Sequence, residues 1–178
     1  MDILEVATQD EKAWLVLTAT SDKGTLTIDV SDFAITDHVY SEFYDELGDY
    51  EITGIYSNFD GADFIEKNNV IDDVFDILEL TKNEISILTA WAYINGTHLF
   101  FETSKLIDGM NENYVGSFNS YTELAHWHIE NSVDTTDIPD IVKRNINYES
   151  VGGDLLWMKI YDYAHDKNLP DIRHFFSK

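Results

Sequence analysis

Apolar and polar positions follow two rhythms along this chain. In "TLTIDV" (25–30), Leu26, Ile28 and Val30 fall on one side and Thr25, Thr27 and Asp29 on the other. That is the period of two expected of a strand with one covered face. The β-rich run "AWLVLTAT" (13–20) precedes it, and "DKGT" (22–25) supplies a hairpin turn between them. At about 36–48 the rhythm changes to 3.6. Val39, Tyr40, Phe43, Tyr44 and Leu47 form an apolar stripe, with Gly48 as a helix stop. "DYEITGIY" (49–56) then returns as a strand.

"SNFDGAD" (57–63) reads as a loop, and residues 67–94 as a helical pair. In "NNVIDDVFDILEL" (68–80) the stripe is Val70, Ile71, Val74, Phe75 and Leu78. "TKNE" (81–84) is a capping box opening a second helix, which is apolar nearly all round through Ile85, Ile87, Leu88, Trp91 and Ile94. "NGTHLFFET" (95–103) reads as a turn and short strand, and the Gly/Asn-rich "IDGMNENYVGSFNS" (107–120) as a connection. "SYTE" (120–123) is a second capping box, and Pro139 stands where a helix can start. "YESVGGDLLWMKIYDYAHDK" (148–167) is expected to turn at Gly152 and Gly153 and continue as helix. No repeat or low-complexity tract appears. The expectation is an α+β chain of three small mixed domains: 1–57, a mainly helical 58–106, and 107–178.

Composition narrows the function. The 178 residues are 44% apolar and 13% aromatic, enough to offset chain entropy in a folded core. Yet 34 acids face 11 bases, a net charge of −23. Such a charge opposes direct binding to nucleic acid or to an anionic membrane. With no cysteine, disulfides, zinc–thiolate sites and thiol nucleophiles are excluded. The start "MDILEVATQDEK" lacks the basic and apolar character of a signal sequence, and "ISILTAWAYI" (85–94) is too short to span a bilayer. A cytoplasmic protein is expected.

The acids are concentrated. Residues 1–60 carry 14 acids and 2 bases, whereas residues 104–178 carry 12 and 7. The outer face of the first helix is Glu42, Asp45, Glu46 and Asp49, followed by Glu51. That of the next is Asp72, Asp73, Asp76 and Glu79. Neither face contains a Lys or Arg, although mixed signs would favour an ordinary solvated helix. Other chemistries fit less well. "YSNFDGADFIEK" (56–67) places Gly61 as a calcium loop would, but has Tyr56 and Lys67 at the two anchoring positions. His126 and Glu130 sit four apart with no third ligand, while His128 lies on a packing stripe. There is no phosphate loop and no serine elbow, and carboxylate pairs for acid–base work are too numerous to be a signal. No cofactor, metal or enzymatic activity is expected.

What remains is a display of negative charge. Duplex DNA carries one charge per roughly 1.7 Å of axis, so −23 corresponds to about 39 Å, or about 12 base pairs. Carboxylates at phosphate-like spacing could occupy a DNA-binding groove without base readout. The rival readings are a different DNA-binding target, such as a CRISPR nuclease or chromatin protein, a carboxylate-dependent hydrolase, and a plain interaction module.

The final third carries a resemblance. "SYTELAHWHIENS" (120–132) followed by "DIPDIVKRNINYESVGGDL" (137–155) resembles the ArdA antirestriction family, as does "DYEITGIY" before an acidic helical segment. Asn147 and Gly153 depart from the family's usual Asp and Arg. The resemblance implies an elongated, dimeric mimic of bent DNA that occupies the groove of type I restriction–modification enzymes and protects incoming mobile DNA. It also implies a motif at or near the dimer contact, here Asn147, Tyr148, Glu149, Gly152, Asp154 and Leu155.

Overall fold

The computed structural model describes residues 11–33, 36–59, 73–100, 102–166 and 168–178. Helices and antiparallel sheets divide between two compact units. One holds residues up to Leu88 together with His98–Leu106, and the other holds Thr89–Thr97 and Ile107–Lys178.

The N-terminal unit is built on a three-stranded sheet of β1 (Leu15–Ser21), β2 (Gly24–Asp29) and β3 (Glu51–Ser57), in the order β2-β1-β3. The expected hairpin forms, with Ser21 opposite Gly24 and Val16 opposite Asp29. Alternation sends Leu15, Leu17 and Ala19 into the core. Thr18, Thr20, Thr25, Thr27 and Thr53 face outward, joined by hydroxyl contacts such as Thr18–Thr27 at 3.0 Å. Helix α1 (Thr36–Leu47) buries Val39, Phe43 and Leu47 against this sheet. It ends at Gly48, whose φ of +72° suits glycine and whose N–H donates to the Tyr44 carbonyl.

Helices α2 (Asp73–Leu78) and α3 (Lys82–Ile94) follow. The first capping box forms in full. The Glu84 carboxylate accepts from the Thr81 N–H at 2.7 Å, and Thr81 Oγ1 accepts from the Glu84 N–H. Ala13 N–H donates to the Leu80 carbonyl and Lys82 N–H to that of Glu11, tying this segment to the chain before β1. Residues 60–72, which hold most of the calcium-like spacing and the start of the acidic helix, lie outside the described residues.

Residues 95–178 correct four expectations. The Gly/Asn-rich "connection" is helix α4 (Thr103–Asn113) running into strand β4 (Tyr114–Phe118), and no strand forms at 95–100. Thr103, Leu106 and Met110 give α4 its buried stripe. Gly109 brings it against Trp91, where an added Cβ would lie 3.0 Å from the indole nitrogen. The glycine pair is no turn: it lies inside α7 (Tyr148–Trp157). Nor does helix continue afterwards. β5 (Tyr161–His165) and β6 (Arg173–Ser177) complete a sheet of order β4-β6-β5. α5 (Tyr121–Ser132), the short α6 (Asp140–Lys143) after Pro139, and α7 are the remaining α-helices described. Leu124, Leu155, Tyr161 and Phe175 make the core between the helices and one face of this sheet.

Gly152 explains how α7 docks. A Cβ there would lie 2.2 Å from the backbone carbonyl oxygen of Tyr121, so only glycine lets the two helices approach this closely. Gly153 faces open space.

Candidate functional site

The sequence of α1 presents its carboxylates by subtraction. Once Val39, Phe43 and Leu47 are buried, Glu42, Asp45 and Glu46 must face solvent. They span about 6 Å of helix axis at about 1.5 Å per residue. Asp49 and Glu51 continue the exposed series past Gly48. None of these five has an ion-pair or hydrogen-bond partner among the described residues. The nearby cation is Lys23, whose Nζ would lie 3.3 Å from a Cβ placed on Gly48, at the negative end of the α1 dipole.

Two features of this face were not legible in the sequence pattern. Tyr44, assigned to the apolar stripe, is 62% exposed and stands among the acids. The apolar arc is narrow and Phe43 fills it. Asp37, exposed in the first turn, joins the display. Its spacing of eight from Asp45 was the available signal, and the helix N-terminus favours a carboxylate there.

The second acidic group behaves differently. Asp72 and the side chain of Asp73 lie outside the described residues. Asp76 is half-buried and accepts from Ser104 Oγ at 2.8 Å. Glu79 pairs with Lys12 at 3.2 Å. Both partners there are largely exposed, so the pair is worth about 0–1 kcal/mol. The bare helix face expected at 72–79 is thus compensated where it is described, by residues distant in sequence.

The motif residues at 147–155 have packing roles. Asn147 caps α7, its side-chain oxygen accepting from Ser150 N–H at 3.1 Å. The Tyr148 ring stacks on His126 with centroids 3.6 Å apart. Gly152 admits Tyr121, and Leu155 enters the core. Glu149 and Asp154 are exposed. Thus His126, considered for metal ligation with Glu130, is an aromatic partner. His128, read as a packed residue, is half-buried with Nδ1 2.7 Å from the Tyr161 hydroxyl. Among the described residues no three His, Asp or Glu side chains converge for a metal.

The C-terminal unit also holds a polar chain that runs from a buried Asp166–His174 pair out to the surface at Ser117. His174, 1% exposed, sits in the central strand with Nε2 2.9 Å from Asp166 Oδ2 and Nδ1 2.7 Å from Ser117 Oγ. The Tyr114 hydroxyl meets Ser117 Oγ at 2.7 Å. Asp166 Oδ1 accepts from the Asn168 and Leu169 N–H groups, fixing the β5–β6 connection. An ionised Asp166 only accepts, so the proton of this bond is carried by His174 Nε2. Burial raises the Tyr114 hydroxyl above its ordinary range, and the Ser117 bond partly opposes this. Tyr121 is raised first by its hydrogen bond to Tyr163, then by burial.

Fold and surface together define an acidic α+β protein that holds a run of carboxylates outward with no ion pair to them among the described residues. The chain matches the family model of ArdA, antirestriction protein, over residues 10–166, and it belongs to that family. Neither the curated proteins nor the solved structures compared with it include a match. No helix among the described residues is long and apolar enough to cross a membrane.

Proposed function

We propose that this chain is a non-enzymatic DNA mimic. It occupies the DNA-binding groove of a type I restriction–modification enzyme in the cytoplasm and so protects incoming mobile DNA. The observation that carries the reading is the run Glu42, Asp45, Glu46, Asp49 and Glu51, all exposed and all without partners among the described residues. Each stands in for a phosphate. The three helical acids recur about every 3 Å of axis, against roughly 1.7 Å per charge in duplex DNA, so this helix alone offers a sparser row than the duplex. Asp72, Asp73, Asp76 and Glu79 extend the display with less force, because Glu79 already has Lys12 and Asp76 has Ser104.

The same reading takes the chain as an elongated array of three small domains acting as a homodimer. The stretch from Val133 to Asn147 supports a contact on the C-terminal side. It contains no buried residue, yet it holds Val133 and, in α6, Ile141 at 69% and Val142 at 51% exposure. This strap runs into the family motif at Asn147. Apolar side chains on a four-residue helix gain little from solvent and suit a protein contact.

Charge reversal tests the mimicry. One Asp- or Glu-to-Lys change among Glu42, Asp45, Glu46 and Asp49 should lower inhibition of a type I enzyme slightly, and all four together strongly. Inhibition should also weaken steeply with added salt. Circular dichroism should show the quadruple variant folded. Retained inhibition by that folded variant, or outright loss from one substitution, overturns the reading.

A further inference from the structure

The chain has no cysteine and three methionines, so its sulfur chemistry rests on thioethers alone. Met110 is 4% exposed within α4, and Met158 is 63% exposed immediately after α7. Two-electron oxidants such as hydrogen peroxide need access to sulfur, which is the main control on where methionine reacts.

Met158 is not exposed by fraying. Its own N–H donates to the Asp154 carbonyl at 2.8 Å, Lys159 N–H to that of Leu156 at 3.0 Å, and Ile160 N–H to that of Leu155 at 3.0 Å. With Lys159 at φ +56°, this is a Schellman cap in which a lysine takes the place usual for glycine. The closed backbone projects Trp157, 83% exposed, and Met158 into solvent, beside Ile160 at 37%.

We propose that Met158 is an oxidative modification site of this protein, at which a peroxide converts an apolar surface lip into a polar one. The chemistry balances simply. A sulfur lone pair attacks the peroxide, one oxygen is transferred to sulfur and the O–O bond breaks. Hydrogen peroxide leaves as water. The sulfoxide returns to thioether when a dithiol reductant, acting through a methionine sulfoxide reductase, is oxidised to its disulfide. Met158 contributes nothing to the buried cores, so the change alters surface polarity without unfolding the chain.

The test is peroxide treatment of the folded protein followed by peptide mapping, with the N-terminal peptide carrying Met1 followed separately. The Met158 peptide should gain one oxygen at least about tenfold faster than the Met110 peptide, and denaturant should bring the two rates together. Retention on a hydrophobic-interaction column should fall after oxidation and recover after reductase treatment with a dithiol. Folded Met158→Leu protein should show neither shift in retention. Comparable rates at Met110 and Met158 in the folded protein, or unchanged retention once Met158 is oxidised, would overturn the assignment.

Discussion

The two units handle polar groups in opposite ways. The N-terminal unit turns its acids outward and leaves those of α1 without partners among the described residues, while its core is almost wholly aliphatic and aromatic. The C-terminal unit buries one polar pair, Asp166–His174, and links it outward through Ser117 and Tyr114, with Tyr121–Tyr163 half-buried beside it. The contrast separates two tasks. Exposed carboxylates add little to folding and remain available to a partner. Buried networks define one packing and lose heavily when a member is removed. Changes in the second unit should therefore act on stability, and changes on α1 on inhibition.

The largest stability effect expected is at the α5–α7 contact. Gly152→Ala would drive a methyl group to 2.2 Å from the Tyr121 carbonyl oxygen, where backbone must yield. A loss of about 3 kcal/mol or more is expected in chemical denaturation, at the upper end for overpacking. Gly153→Ala, one position on, meets nothing within 4 Å and should stabilise by about 0.5–1 kcal/mol through helix propensity. Equal effects from the two would refute the close approach. Next comes Asp166→Ala. It strips the acceptor from His174 Nε2 and from two backbone N–H groups, at a cost of about 2–3 kcal/mol. A change below about 0.5 kcal/mol would show the network to be incidental.

These positions show where sequence reasoning reached and where it stopped. The hairpin, α1, both helix-opening boxes and the Pro139 start were legible because each rests on local rules of period, cap or turn. Even there, the Glu123 carboxylate of the second box accepts from the Asn119 N–H, one residue earlier than the motif implies. Gly152 and Gly109 were misread because the sequence records only what glycine permits locally. The reason for each is a neighbour more than 15 residues away, Tyr121 or Trp91. "YDYAH" looked helical for a similar reason. Its period-two face, Tyr161 and Tyr163, shows as a strand only once β6 supplies Phe175 beside it. On the candidate site, local pattern found the α1 acids. It could not foresee Lys12 beside Glu79 or Ser104 beside Asp76, both of which are tertiary neighbours.

Alkaline titration sharpens the same contrast. Tyr114 and Tyr161 are raised chiefly by burial, and Tyr121 chiefly by its bond to Tyr163, all in the C-terminal unit. Tyr50, also raised by burial, is in the N-terminal unit. A phenol whose folded value lies above its unfolded value contributes stability that is intact below about pH 10 and lost as pH rises toward the folded value. Hydrogen exchange followed from pH 9 to 11 should show β4–β6 losing protection before β1–β3. Simultaneous loss would mean that the phenols do not distinguish the units.

The smallest effect separates two helix ends built on one plan. α1 closes with Gly48 at φ +72° and α7 with Lys159 at φ +56°. A side chain in this left-handed region costs about 1–2 kcal/mol, whereas glycine gives back roughly 0.5–1 kcal/mol in the unfolded chain. Lys159→Gly should therefore stabilise by about 0.5–1 kcal/mol, and Gly48→Ala should destabilise by a similar amount. The lysine charge confounds the first comparison, because a cation at a helix C-terminus adds about 0.3–1 kcal/mol. Lys159→Asn resolves it: asparagine tolerates the left-handed region but carries no charge. If Asn stabilises less than Gly but more than Lys, backbone conformation governs this end of α7. If Asn falls below Lys, the charge governs it, and strain in the cap is not what distinguishes the two helix ends.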